Sequence, residues 1–292
     1  MGRVCALAVG VILPVAVALV PVSRVDAAEP ASLKIGLPES MFSGLPPAVV
    51  APVAKPFQDM FEKQTGLKGE IAVVKDYKEI ADKLRAGTLD VAVFHGFEYA
   101  WVRHHTDLIP LLITVPGNKL QACLVVNANS DAKGANDLKG SCVVIPNATK
   151  AHCHLYLDRL RDKLPEGCCG TAKHDGKSVE ESLDAVADNT CQAALVDATA
   201  LRTYQTNKPG VGKQLKVLVQ SDPFPSAVVV YRKEAFDVDT AAKIRKGLIK
   251  GIETAQGKIL TSLWRLKGFS EVTPQYQKDL DECLKAYPAP KK

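Results

Sequence analysis

KHDGKSVEESLDAVADNTCQAALVDATALRTY, residues 173–204, reads as a polar loop, an amphipathic helix, a buried strand and a second polar loop. The helix is expected from Val179 to Asp188. The strand, Gln192 to Asp197, is a continuous apolar run of the kind that a parallel sheet covered on both faces produces. Upstream, Ser141 to Pro146 and a helix from Ala151 to Leu164 repeat the alternation, which makes this region an α/β lobe. Downstream, Leu215 to Gln220, then Asp222-Pro-Phe-Pro225, then Ala227 to Tyr231 read as a crossing back to another lobe.

That other lobe begins near the N-terminus. Leu33 to Leu37, Gly69 to Lys75 and Asp90 to Phe94 read as strands, separated by helices over residues 49–65 and from Asp76 to Gly87. Asp76 sits where an N-cap belongs, with Glu79 three residues on as in a capping box. Strands at Leu108–Val115 and Leu120–Ala128 bracket Pro116-Gly117-Asn118 and carry the chain across. Helices at Asp239–Ala255, Lys258–Leu266 and Pro274–Lys285 complete the first lobe. The expected fold is α/β, two hinge-linked lobes divided as residues 28–117 plus 222–292 and residues 118–221, with a ligand site at the interface between them.

Residues 1–27 read as a signal peptide. Arg3 precedes an apolar run from Val4 to Val22 broken by Pro14, and Val25-Asp26-Ala27 is a V-x-A cleavage signal ahead of Ala28. Cleavage removes Arg3, Arg24 and Asp26, taking the net charge from +5 to +4 over 265 remaining residues. That bias suits a small anionic ligand, and its scatter along the chain excludes a nucleic-acid stripe. The expected product is exported to the periplasm.

Seven of the eight cysteines follow the cleavage site, and an oxidising compartment argues for disulfides among them. Cys142, Cys153, Cys168, Cys169 and Cys191 all fall in the second lobe, with connectivity open. His152-Cys153-His154 is not a metal site by spacing: there is no CxxC pair, and the two histidines stand about 200° apart on a helix. No GxSxG, HExxH or GxxxxGK[ST] occurs, so no catalytic residue and no cofactor is expected.

In an open α/β sheet the ligand lies beyond the carboxyl ends of the strands, against helix N-termini whose free amides suit an oxyanion. Those ends are residues 38–47, Asp76-Tyr77, His95 to Tyr99, Asn147 to His152, His174 to Lys177 and Asp197 to Thr199. The ordered set DYKEIADKLRAGTLDVAVFHGFEYAWV, VVIPNATKAHCHLYLDRL, KHDGKSVEESLDAVADNTCQAALVDAT and SDPFPSAVVVYR resembles the phosphate, phosphite and phosphonate substrate-binding proteins of ABC importers, over nearly all of the chain after residue 27. The resemblance implies a type II periplasmic binding protein that closes on a phosphorus oxyanion and presents it to a membrane permease, as a monomer. It places ligand contacts at Tyr77, His95, Gly96, Tyr99, Thr149, His174, Asp175 and Asp197, and Lys150 beside Thr149 is expected to help hold the anion. The chain departs from the family at Asn147-Ala148-Thr149-Lys150-Ala151-His152, where relatives carry a run of Ser and Thr. Glu98 and Asp197 would repel a dianion unless protonated or met by a ligand ammonium. An exported sensing or docking module of the same fold is the alternative function.

Overall fold

The computed structural model describes residues 32–42, 47–147, 149–167 and 177–290. Ten strands form two sheets: β1 (Ser32–Pro38), β2 (Lys68–Val74), β3 (Val91–Phe94), β4 (Leu108–Pro116), β5 (Ala122–Asn127), β6 (Val143–Val144), β7 (Ala193–Asp197), β8 (Leu215–Gln220), β9 (Val228–Arg232) and β10 (Leu266–Ser270). The first has the order β10-β4-β9-β3-β1-β2 and the second β6-β7-β5-β8. The helices are α1 (Pro47–Thr65), α2 (Tyr77–Arg85), α3 (Gly96–Val102), α4 (Ala151–Arg161), α5 (Val179–Ala187), α6 (Ala198–Asn207), α7 (Pro209–Gly212), α8 (Val238–Gly251), α9 (Ala255–Leu263) and α10 (Pro274–Ala286).

This is the two-lobed α/β arrangement expected from the sequence. β1 lies parallel to both β2 and β3, while β9 runs antiparallel between β3 and β4. In the second sheet β5 is antiparallel to β7 and β8, and β6 is parallel to β7. The chain changes sheets between β4 and β5 and returns between β8 and β9. The two crossings touch through a bridge of Leu120 with Phe224, whose amide donates to Leu120 O at 2.8 Å.

β3 is buried along its whole length because α2 and α1 cover the two faces of its sheet. Ile35, Met60, Phe61, Ile244 and Leu248 fill one side, and Ile80, Leu84, Phe94 and Leu280 the other. The second sheet is sandwiched in the same way, with Leu183 and Val186 of α5 on one face and Cys153 and Leu157 of α4 on the other. That last cluster crosses between lobes: Phe97 and Trp101 of α3, with Cys283 and Tyr287 from the C-terminal helix and its end, pack against Leu124, Ile145 and Leu157.

Three elements differ from the sequence reading. The Asp76 carboxylate caps α2 by accepting from the amides of Lys78 and Glu79 at 2.9 and 3.0 Å, but Glu79 does not complete a capping box: it pairs with Lys83 one turn on, at 2.9 Å. The loop expected after Asp197 is the helix α6, held by Leu201 and Tyr204 alone. Leu266, expected as a helix end, instead opens β10, which pairs antiparallel with β4 through a bulge at Leu266/Gly268. The expected disulfides do not involve Cys123, Cys153 or Cys283, which are buried thiols.

Leu195 is fully buried on β7 and Val238 is 83 % exposed. Leu195→Ala should therefore destabilise the protein by about 2–5 kcal/mol in urea unfolding, and Val238→Ala by under about 0.5 kcal/mol.

Candidate functional site

A cavity of about 480 Å³ lies between the sheets, at the carboxyl ends of β1, β3, β6 and β7. β1 leads to Ser40, β3 to His95 and Gly96, β6 to Thr149 and Lys150, and β7 to Asp197; the return crossing adds Phe224 and Pro225. Parallel strands deliver these groups together because their carboxyl ends, and the helices that follow, share one edge of the sheet.

On the first lobe, His95 Nε2 and Ser40 Oγ lie 2.9 Å apart, and the imidazole stacks on Phe97 with ring centres 5.4 Å apart. Burial, with His152 and Lys150 nearby, holds the His95 pKa down at about 4, so the ring is neutral near pH 7. Gly96 begins α3 against the return crossing. A Cβ there would lie 2.3 Å from Pro225 O, so only glycine lets the backbone approach so closely. Glu98 is buried and turned back on its own helix start, accepting the His95 amide at 3.2 Å. Burial raises its pKa to about 7, that hydrogen bond opposes the rise, and the charge of Asp76 adds to it.

On the second lobe, Asp197 accepts from the amides of Thr199 and Ala200 at 2.9 and 3.2 Å and so caps α6. Its Oδ2 also lies 3.1 Å from His152 Nε2, with side chains only 13 % and 9 % exposed. Burial alone would raise the Asp197 pKa; His152 and the two amides overcome it and hold the carboxyl below its ordinary value. The His152 approach is close but lacks the alignment of a hydrogen bond, which leaves Nε2 buried without a well-formed partner. α4 opens at Lys150 with no side-chain cap, and Lys150, Ala151 and His152 line the cavity, while the Cys153 amide already donates to Lys150 O at 2.9 Å. Both donors of Thr149, hydroxyl and amide, go to Pro146 O at 2.6 and 3.1 Å and shape the turn that presents α4.

Of the residues singled out in the sequence, His95, Gly96, Thr149, Lys150 and Asp197 line the cavity. Tyr77 and Tyr99 lie outside its lining. Tyr77 packs on Trp101 with ring centres 5.0 Å apart, and Tyr99 is buried beside Phe94 in the first lobe. His174 and Asp175 fall outside the described residues; Lys177, just after them, accepts the amide of Asn147 at 3.0 Å. Ser40 lies in the strand end at 38–47 that the sequence placed at the ligand, whereas sequence reasoning missed Phe224 and Trp264 as lining residues and His152 as the partner of Asp197. For His152 a signal existed: it lies one helical turn from Thr149 at a helix start.

Among the described residues no group of three or more His, Cys, Asp or Glu is placed to hold a metal ion. Nor is any buried cysteine an activated thiolate. Burial pushes Cys123 up to about 11 and Cys283 up to about 12, and Cys153 well above the ordinary thiol value.

Two α/β lobes around an interlobe cleft define a type II periplasmic binding protein. Residues 40–276 match the family model of periplasmic substrate-binding proteins of phosphonate ABC transporters, and the chain belongs to that family. Solved structures show the same fold at low identity. A Xanthomonas citri protein determined with chloride and with ATP is 18 % identical, with TM-scores of 0.66 and 0.65, over 88 % of this chain and 97 % of that one. PhnD1 of Prochlorococcus marinus in complex with methylphosphonate is 16 % identical, with a TM-score of 0.62, over 88 % and 98 %. A binding-protein component of an ABC phosphonate transporter from Pseudomonas aeruginosa is 15 % identical, with a TM-score of 0.59, over 87 % and 86 %.

Glu98 offers a test of the site's electrostatics. Folded, it keeps its proton up to about pH 7; unfolded, it loses it near 4.5. Ionisation therefore weakens the folded state progressively as pH rises between those values, by up to about 3 kcal/mol. Glu98→Gln should be more favourable to stability, relative to wild type, at pH 8 than at pH 4.5 in urea unfolding. An equal difference at both pH values would contradict the assigned environment.

Proposed function

We propose that this protein is the exported receptor of an ABC importer, freed of residues 1–27, and that it closes as a monomer on a phosphorus oxyanion between its lobes. One observation carries the reading: the uncapped start of α4, with Lys150, faces His95 and Ser40 of the other lobe across a single cavity. An oxyanion there meets amide donors, the positive end of the α4 dipole and an ammonium group. The cavity carboxylate of Asp197 is already engaged by His152 and two amides, so it does not require a ligand ammonium. Closure then desolvates the anion, which strengthens each of these contacts. Nothing in this scheme needs a cofactor or a catalytic group, and the partner that takes the cargo is the membrane permease the family implies. We extend the proposal to disulfides involving Cys142, Cys191 and the cysteine pair at 168–169, which thiol counting in the denatured exported protein checks.

The test is isothermal titration of the ligand-stripped protein with phosphate, phosphite, methylphosphonate and sulfate. A phosphorus compound should bind at micromolar Kd or tighter, and Lys150→Ala should weaken it about 10- to 100-fold, the range for a charge-assisted contact of ~1.5–3 kcal/mol. Unchanged affinity in Lys150→Ala, or no binding by folded wild type, would overturn the site.

A further inference from the structure

The cavity is larger than its anion end requires. A tetrahedral phosphorus head occupies the space of two or three waters, ~60–90 Å³ at ~30 Å³ each, against about 480 Å³ available. Much of what surrounds the remainder is hydrocarbon. Leu37 at the end of β1, Met41, Phe57 of α1, Leu263 and Trp264 at the end of α9, and Phe269 of β10 all line the same cavity.

These six come from four separate stretches of the first lobe, and the fold holds them in place. Leu37, Phe57 and Phe269 belong to the first-lobe core, with Met41 and Trp264 packed against it. Trp264 is braced edge-on by Phe42 at 6.3 Å. α9 stops there because Arg265 takes a left-handed conformation, φ 51°, before the chain enters β10. Leu263 remains 45 % exposed beside the braced indole, so the free protein leaves apolar surface in contact with water inside its cleft.

The charges at the cavity are just as informative. Among the described lining residues the charged side chains are Lys150, Arg265 and Asp197; the one carboxylate, Asp197, belongs to the second lobe, where Oδ1 accepts two α6 amides and Oδ2 lies 3.1 Å from His152, and the first-lobe lining holds no acid. An aminoalkyl substituent laid on these first-lobe side chains would thus meet no acid there, and Arg265 as the charge beside Trp264, at the cost of desolvating an ammonium. A hydrocarbon substituent would be favoured, since each buried methylene contributes ~0.8 kcal/mol.

We propose that the ligand is an organophosphonate with an apolar alkyl or aryl substituent, its head at the α4 start and its hydrocarbon part on Leu37, Met41, Phe57, Leu263, Trp264 and Phe269. The proposal rests on the anion reading above and names the substrate class of that same site.

Titration of the wild-type protein with methyl-, propyl-, hexyl-, phenyl- and 2-aminoethylphosphonate tests it. Affinity should rise about fourfold per methylene, ~0.8 kcal/mol each, from methyl to propyl, and phenylphosphonate should bind more tightly than methylphosphonate. 2-Aminoethylphosphonate, matched in length to the propyl compound, should bind at least tenfold more weakly than it does. Trp264→Ala and, separately, Leu263→Ser should each lower the ratio of hexyl to methyl affinity; the second variant, at an exposed position, guards against misfolding of the first. If methylphosphonate binds but affinity is flat or falls with chain length, or 2-aminoethylphosphonate binds best, the apolar subsite is wrong while the anion site stands. If no member of the series binds, the anion reading falls and this one with it.

Discussion

The relative placement of the two lobes turns on one ring. Phe224, in the return crossing, meets Phe97 of the first lobe at 6.1 Å, His152 of the second at 5.4 Å and Tyr287 beyond α10 at 4.8 Å. Each aromatic contact of this kind is worth ~0.5–1.5 kcal/mol beyond its buried area. Trp101 adds a hydrogen bond to Tyr287 O at 2.8 Å, which ties the C-terminal segment to α3 under the same seam. His95 stacks on Phe97 and His152 packs on Phe224, so the two histidines that flank the cavity are positioned from a common apolar base. Gly96 completes the joint, because its missing side chain is what lets α3 close on Pro225.

The second organising constraint is how charge is distributed. The chain carries only a modest net charge, +5 in all, so long-range attraction does little for an anion. Local arrangement does more. Glu98 is folded back on the His95 amide, and Asp197 is consumed by His152 and the start of α6. Both acids thereby stiffen helix starts, leaving the α4 end, Lys150 and Arg265 as the positive features of the cleft. Much of the rest of the wall is hydrocarbon, which lowers the local dielectric and makes those few positive groups count for more than they would in water.

Much of the architecture was legible because it depends on period and burial. The runs around Val93 and Leu195 are apolar without interruption, as strands covered on both faces must be, and Asp76 marks its helix start by side-chain chemistry that acts over two or three residues. What escaped was set by distant partners. β10 holds Gly268 at φ 151° and exists because β4 lies beside it, more than 150 residues away in the chain. α6 buries only Leu201 and Tyr204, too narrow a stripe to announce a helix. In the site, His95 and Asp197 follow strands and were readable there. Ser40 follows β1 in the same way, Trp264 joins them only through tertiary packing, and the rings of Tyr77 and Tyr99 are claimed by Trp101 and the first-lobe core.

The most direct measurement is a crystal structure of the protein grown with methylphosphonate. Phosphoryl oxygens within about 3.2 Å of the first-turn amides of α4, with His95 and Ser40 closing on the same group from the other lobe, is the result this account predicts. A phosphonate held by one lobe alone, or bound away from the α4 start, would contradict it.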